Sequence, residues 1–301
     1  MKKDYLRVSD LNKEEFTYLI KRAIDFKINR GFQKNFLSGK SIGMIFEKPS
    51  TRTRVSFEVA IYQLGGYPVY LSPTELQLSR GETIKDTAQV LSRYLDAVVI
   101  RTFSHNTIEE FAKWSTVPVI NALTDEHHPC QALADIMTII EKKGKLQGIK
   151  LTFVGDGNNV ANSLIEASAL VEIKINIATP EECEPLMEII EKAKAFTEVK
   201  IFHDPQEAVK DADVIYTDVW LSMGEEENIK KKEKFKNFQI NTELLKKAKS
   251  DAIVMHCLPA HRGEEITDEV LDSPQSVVLD QAENRLYTEK AILEFLLTLK
   301  N

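Results

Sequence analysis

The chain has 301 residues, more than one average domain, and its 43% hydrophobic and 28% charged residues are ordinary for a soluble globular protein with ample core, roughly two domains by length. No apolar run is long enough to cross a bilayer, and no apolar core follows the charged start Met1-Lys2-Lys3-Asp4-Tyr5, so the expectation is a cytoplasmic protein without membrane contact. The formal charge of −7 argues against nucleic acid as a partner but leaves room for a local basic pocket, and Cys130, Cys183 and Cys257 are too few and too scattered for a disulfide framework.

Asn12 to Glu15 reads as a capping box, and Phe16, Leu19, Ile20, Ala23 and Ile24 follow at helical spacing up to a stop at Gly31. Ile42 to Phe46 is a short apolar run of buried-strand type, closed by Pro49. Ser50 then stands at the N-cap of a helix whose first turn carries Thr51, Arg52, Thr53 and Arg54. Free N–H groups, the positive end of the helix dipole and forked guanidiniums together suit a phosphate. A capped surface helix with solvated arginines explains the same residues, so the rest of the chain must decide.

Tyr67 to Leu71 is a second strand, and the polar stretch Ser72 to Glu82, with Gln77 and Arg80, reads as a mobile loop. A helix over Thr83 to Arg93 leads into the strand Asp96 to Arg101, whose last residue falls where parallel sheets gather ligand groups. Asn106 to Trp114 is helical and Val117 to Leu123 a strand. The turn His127-His128-Pro129-Cys130-Gln131 opens a helix over Ala132 to Lys142. Gly144 and Gly148 mark a boundary, after which strands at Lys150 to Val154, Lys174 to Thr179, Val199 to His203, Asp213 to Thr217 and Ala252 to Leu258 alternate with helices. Trp220 to Gln239 breaks the rhythm as a long polar loop, a lid or a disordered segment by its length, and Thr288 to Leu299 is the last helix. The pattern is α/β: two domains, each a mainly parallel sheet flanked by helices, with the C-terminal helix packing back on the N-terminal domain. We place the domains at 1–143, with helix 288–301, and at 144–287.

Gly155-Asp156-Gly157 after a strand suggests a dinucleotide turn, but the third glycine position is Val160, and a tight turn without ligand explains it better. His128 with Cys130, and His256-Cys257 with His261, supply zinc-ligand types at spacings that do not fit a zinc site. His105 and His203 read as surface or strand-end residues. Asp218 and Cys257 both end strands, so an acid and a thiol can face one cleft and hold a cationic substrate group; a turn aspartate is the plainer reading of Asp218.

Taken together, Ser50 to Arg54, His128 to Gln131, Asp218 with Ser222-Met223-Gly224, and His256-Cys257-Leu258-Pro259 resemble, in this order from Phe46 to Arg285, the aspartate/ornithine carbamoyltransferase family. The Ser-Met-Gly loop and His-Cys-Leu-Pro turn resemble its ornithine branch. The resemblance implies carbamoyl transfer from carbamoyl phosphate to the δ-amine of L-ornithine, giving L-citrulline and phosphate in arginine biosynthesis. It implies direct attack through a tetrahedral intermediate, without cofactor or metal. By position it implies that Ser50, Thr51, Arg52, Thr53, Gln77, Arg101, His128, Gln131, Cys257, Leu258 and Arg285 bind carbamoyl phosphate. Asn159, Asp218, Ser222 and Met223 would bind ornithine, and Arg101, His128, Asp218 and Cys257 would serve the chemistry. A homotrimer is implied, with Gln77 lent to the neighbouring site.

Overall fold

The computed structural model describes residues 2–30, 35–72, 76, 81–222 and 228–298. Gly31, Gln77, Arg80, Met223, Gly224, the Glu225 to Glu227 run and Leu299 lie outside the described residues. The chain divides into two units, Met1–Ala134 with Glu283–Asn301, and Asp135–Ala282.

In the first unit, α1 (Lys13–Ile28) starts at the expected capping box: the Asn12 side chain accepts from the Glu15 N–H, and Glu15 accepts from the Asn12 N–H. Its buried face carries Phe16, Leu19, Ile20, Ala23 and Phe26. The sheet contains β1 (Ser41–Phe46), β2 (Tyr67–Leu71), β3 (Ala97–Arg101) and β4 (Val119–Leu123), all parallel in the order β2-β1-β3-β4. Between them run α2 (Thr51–Gln63), α3 (Ile84–Leu91) and α4 (His105–Trp114), and α5 (Pro129–Lys143) begins here. The chain leaves β1 toward opposite sides of the sheet, so the switch point lies between β1 and β3, where ligand groups collect at the strands' carboxyl ends.

The C-terminal helix α12 spans Val278–Thr298 and so begins ahead of the expected Thr288. Nothing between Val278 and Thr288 breaks a helix; the nearest proline is Pro274. Its later part packs on the first unit. Arg22 on α1 forms a forked pair with Glu294 (2.6 and 3.0 Å), Lys27 reaches Asn284 at 2.7 Å, and the Tyr18 and Phe295 rings lie 6.1 Å apart.

The second unit is a five-stranded parallel sheet of β5 (Lys150–Val154), β6 (Lys174–Ala178), β7 (Val199–Phe202), β8 (Val214–Thr217) and β9 (Ile253–His256), in the order β7-β6-β5-β8-β9. Its connections include α6 (Asn159–Val171), α7 (Met187–Lys194), α8 (Pro205–Ala208), α9 (Ile229–Lys234), α10 (Thr242–Leu245) and α11 (Asp268–Leu271). Here the switch point is between β5 and β8. The expectation of one long polar loop over Trp220 to Gln239 is corrected: α9 lies inside it, and Trp220, Phe235 and Phe238 are buried in the core. Trp220 stacks on Phe235 at 5.9 Å, and Phe235 meets Phe238 edge-on at 6.0 Å. Three aromatics spread among lysines hide their spacing from a periodicity reading, yet their burial ties the segment down.

Candidate active site

In the first unit the Ser50 to Arg54 stretch has the expected local structure, a capped helix start. Ser50 is the N-cap of α2, its hydroxyl accepting from the Thr53 N–H at 3.2 Å. The N–H groups of Thr51 and Arg52 precede the first intrahelical bond, so that end of the helix presents donors. Thr51 and Arg52 are exposed, whereas Thr53 is buried. Arg54 departs from the expected phosphate role: it pairs with Glu58 one turn on at 2.9 Å and lies 3.7 Å from the Tyr70 ring. Two residues along an α-helix is roughly 200° of rotation about its axis, so Arg52 and Arg54 point to nearly opposite sides and cannot face one ligand equally.

Arg101 ends β3 opposite Phe46 of β1, with the Glu47 N–H donating to the Arg101 carbonyl at 2.8 Å. The ladder to β4 shifts register between Ile100 and Arg101, a bulge that re-aims the buried arginine. Lys48, also buried, pairs with Asp125 and sits 4.4 Å from the Phe103 ring, tying the loops after three strands together.

His128 directly precedes α5, and Cys130 and Gln131 fall in its first turn, so the expected turn is already helix from Pro129. Arg285 on α12 donates from Nη1 to Gln131 Oε1 at 2.8 Å, and from Nη2 to Thr53 Oγ1 at 3.4 Å and Glu289 Oε1 at 2.7 Å. Burial, followed by the charges of Arg285 and Arg101, drives the pKa of His128 well below the usual imidazole value. His128 is therefore neutral near pH 7, a hydrogen-bonding group among guanidiniums. Cys130 is a core thiol: its Sγ donates to the Asn121 carbonyl at 3.3 Å and burial raises its pKa. His105, expected at the surface, is buried against Thr124 Oγ1 (3.0 Å) with its ring 4.7 Å from that of His127, and burial lowers its pKa to about 3.

In the second unit Asp218 follows β8 and Cys257 follows β9, strands paired through Thr217 and His256. The expected meeting of acid and thiol occurs: Cys257 Sγ donates to Asp218 Oδ1 at 2.9 Å. The other carboxylate oxygen accepts from Asn158 Nδ2 at 2.9 Å. Asn158 is also the N-cap of α6, with Oδ1 held by the Val160 and Ala161 N–H groups, and this fixes which way its amide points. Sequence reasoning chose Asn159, the buried first residue of that helix, and missed the role of Asn158; an amide at an N-cap beside a strand end was the available signal.

Gly157 has a packing reason, not a nucleotide one. A Cβ there would lie 2.3 Å from the Pro185 nitrogen and 2.4 Å from the Cys183 carbonyl, because the backbone of the 180s loop crosses it. Beside it, Asp156 accepts from Lys231 of α9 at 2.8 Å.

Leu258 takes φ +59°, a left-handed conformation costing a branched residue roughly 1–2 kcal/mol. It is held there by its N–H, which donates to His256 Nδ1 at 2.9 Å. That bond puts the imidazole proton on Nε2, facing Glu265 Oε1 at 3.0 Å, and the same oxygen accepts from the His261 N–H at 2.6 Å. Ligand-type atoms of Asp218, His256 and Cys257 lie within 4.8 Å of one another, but each is engaged in the bonds just described. Ser222 lies two residues beyond Trp220 and is among the described residues, while Met223 and Gln77 do not belong to them. No helix among the described residues is long and apolar enough to cross a membrane.

Two parallel α/β units, one with a helix N-terminus among buried arginines and the other with an acid–thiol pair at its strand ends, define a group-transfer class handling one anionic and one cationic ligand. Residues 3–141 match the aspartate/ornithine carbamoyltransferase carbamoyl-P binding domain, and residues 147–296 the Asp/Orn binding domain of the same family. The chain belongs to the aspartate/ornithine carbamoyltransferase family. It is 55% identical over 299 residues to an ornithine carbamoyltransferase of Thermococcus kodakarensis, covering 97% of this chain and 95% of that one. It is 54% identical to an anabolic ornithine carbamoyltransferase of Pyrococcus furiosus, covering 97% and 95%. A solved structure of ornithine carbamoyltransferase from Pyrococcus furiosus superposes with a TM-score of 0.95 at 51% identity, covering 100% of this chain and 98% of that one.

Proposed function

We propose that this protein transfers the carbamoyl group of carbamoyl phosphate to the δ-amine of L-ornithine, giving L-citrulline and phosphate, as in its anabolic relative. The observation that carries the reading is the pairing, in one family member, of the Ser50–Thr53 helix N-terminus beside Arg285 with the Asp218–Cys257 contact at 2.9 Å.

In this reading the 1–143 segment with helix 288–301 is the carbamoyl phosphate domain and 144–287 the ornithine domain. Ser50, Thr51, Arg52 and Thr53 hold the phosphate, and Gln131 and Arg285 complete its subsite. Arg101 and neutral His128 face the carbamoyl oxygen, where attack by the amine builds negative charge; removing one donor from a comparable oxyanion site costs roughly 10²–10³ in rate. Asn159, Asp218, Ser222 and Met223 bind the amino-acid end of ornithine, with the Asp218 carboxylate orienting its α-ammonium, while the δ-amine attacks in its neutral form. Because Cys257 donates its proton to Asp218, it acts as a polar thiol that lines the reacting centre with Leu258. The amine loses its proton as the tetrahedral intermediate collapses, and the departing phosphate accepts it. Positioning supplies much of the rest, since oriented groups reach effective molarities of about 10⁵–10⁸ M. A homotrimer is part of the proposal, with Gln77 lent to a neighbour. The exposed Val55, Tyr62, Tyr67 and Tyr94 on the first unit are apolar and aromatic surface that a second copy would cover.

The test is product formation with each acceptor. Citrulline that requires both substrates is expected; faster formation of carbamoyl-aspartate or carbamoyl-putrescine would overturn the acceptor assignment.

A further inference from the structure

Glu289 is a carboxylate with no contact to water and no part in the chemistry above. Its side chain is fully buried, one turn beyond Arg285 on α12, and Oε1 accepts from Arg285 Nη2 at 2.7 Å. Its other oxygen, Oε2, is buried without a hydrogen-bond partner among the described residues. Glu289 therefore stands behind the arginine that donates to Gln131 and, in the first turn of α2, to Thr53.

A buried ion pair is poor evidence for stability, because desolvating both charges consumes most of their attraction. Its use must lie elsewhere. Arg285 is also nine-tenths or more buried, and three of its contacts run in different directions, to Gln131, Thr53 and Glu289. A long side chain with four rotatable bonds is fixed by such a triangle, and an arginine fixed before its ligand arrives loses less freedom when it binds one.

We propose that Glu289 is a positioning residue for the anion subsite, aiming the Arg285 guanidinium at the phosphate and sharing its charge until the phosphate arrives. The inference rests on the carbamoyl phosphate reading of that subsite. It has a pH signature. Burial raises the Glu289 pKa to about 7 despite the opposing pull of the Arg285 charge and hydrogen bond. The charged group acting on it is Arg285 on its own helix; Glu289 acts in turn on Cys130 at the start of α5, and Arg285 acts on His128. His128 and Cys130 are displaced from the pH 6–8 window in opposite directions, which leaves Glu289 as the group among these that titrates inside it. Above pH 7 the ionised carboxylate competes with the phosphate for Arg285, so the Kd for an anion at this subsite rises through that pH.

The experiment measures binding of inorganic phosphate and of carbamoyl phosphate by calorimetry at pH 6 and pH 8, alongside steady-state KM for both substrates. It compares the whole wild-type protein with Glu289→Gln and Glu289→Ala. Glutamine keeps an acceptor for Nη2 without the charge, and is expected to abolish the pH 6 to 8 rise in Kd while keeping the pH 6 affinity within about threefold. Alanine releases the guanidinium and is expected to raise Kd and KM for carbamoyl phosphate about tenfold or more with ornithine KM unchanged, an effect of the size of one charged hydrogen bond. Equal rises in both KM values for Glu289→Ala would show a merely structural role, and a pH step retained in Glu289→Gln would overturn the assignment. Should alanine fail to fold, the glutamine pH comparison decides alone. Wild-type protein that binds neither anion would sink the subsite reading itself, whereas wild-type binding without any effect of the Glu289 variants would sink only this inference.

Discussion

The two units solve opposite binding problems with different materials. The first gathers positive charge: a helix N-terminus with Arg52, and the buried Arg101 and Arg285, the latter braced by Gln131 and Glu289. The second gathers a single negative charge, Asp218, and spends its structure on fixing that carboxylate from both sides, with Cys257 on one oxygen and Asn158 on the other. An anion with several oxygens rewards many donors, whereas an ammonium rewards one well-aimed carboxylate. On the proposed assignment, the difference teaches that the donor subsite depends on charge number, the acceptor subsite on orientation.

Removing charge from the first subsite should therefore have the largest effect. Arg52→Ala is expected to lower kcat/KM for carbamoyl phosphate by roughly 10²–10³, with ornithine KM nearly unchanged and the thermal transition intact. Normal saturation by carbamoyl phosphate in that variant would remove Arg52 from the site. Next comes Asp218→Asn, expected to raise ornithine KM about 10- to 100-fold, the loss of a charged hydrogen bond, while leaving anion binding unaffected. A calorimetric titration with phosphate separates the two results.

Smaller effects probe the scaffolds. Gly157→Ala must displace the Cys183–Pro185 backbone and should cost about 1–3 kcal/mol of stability, read as a lower melting temperature, without loss of anion binding. If Gly157 instead served a bound dinucleotide, that variant would keep its stability. Asn158→Ser retains a capping hydroxyl but loses the donor to Asp218; ornithine KM is expected to rise several-fold, about 1 kcal/mol, with carbamoyl phosphate KM constant. Equal movement of both constants would mean that Asn158 serves only the helix.

The same contrast explains what the sequence made legible. Ser50 to Thr53 could be read as a cap because a cap is local: its donor and acceptor are three residues apart. Arg101, Asp218 and Cys257 were legible as strand-end residues, because parallel sheets place ligands there whatever the side chain. Arg54 was misread because helix geometry, not composition, turns it toward Tyr70. Glu289, Asn158 and Glu265 passed unnoticed for a different reason. Their partners are Arg285, Asp218 and His256, and while the first lies on the same helix, its importance depends on Gln131 and Thr53 arriving from far away in the chain. The family resemblance supplied the residues proposed to touch ligand; the bracing behind them came only from the structure. The reading of Trp220 to Gln239 as one long polar loop failed where buried aromatics outweighed a lysine-rich background.

The central claim is that a carbamoyl group passes from a phosphate held by the first unit's donors to an amine held by Asp218. The most direct measurement is a two-substrate initial-rate assay of citrulline by the purified full chain, with ornithine, aspartate and putrescine as competing acceptors. Citrulline formation that saturates in both carbamoyl phosphate and ornithine, with release of one phosphate per citrulline, is the expected result. Turnover with aspartate or putrescine in preference to ornithine, or citrulline formed without matching phosphate, would contradict it.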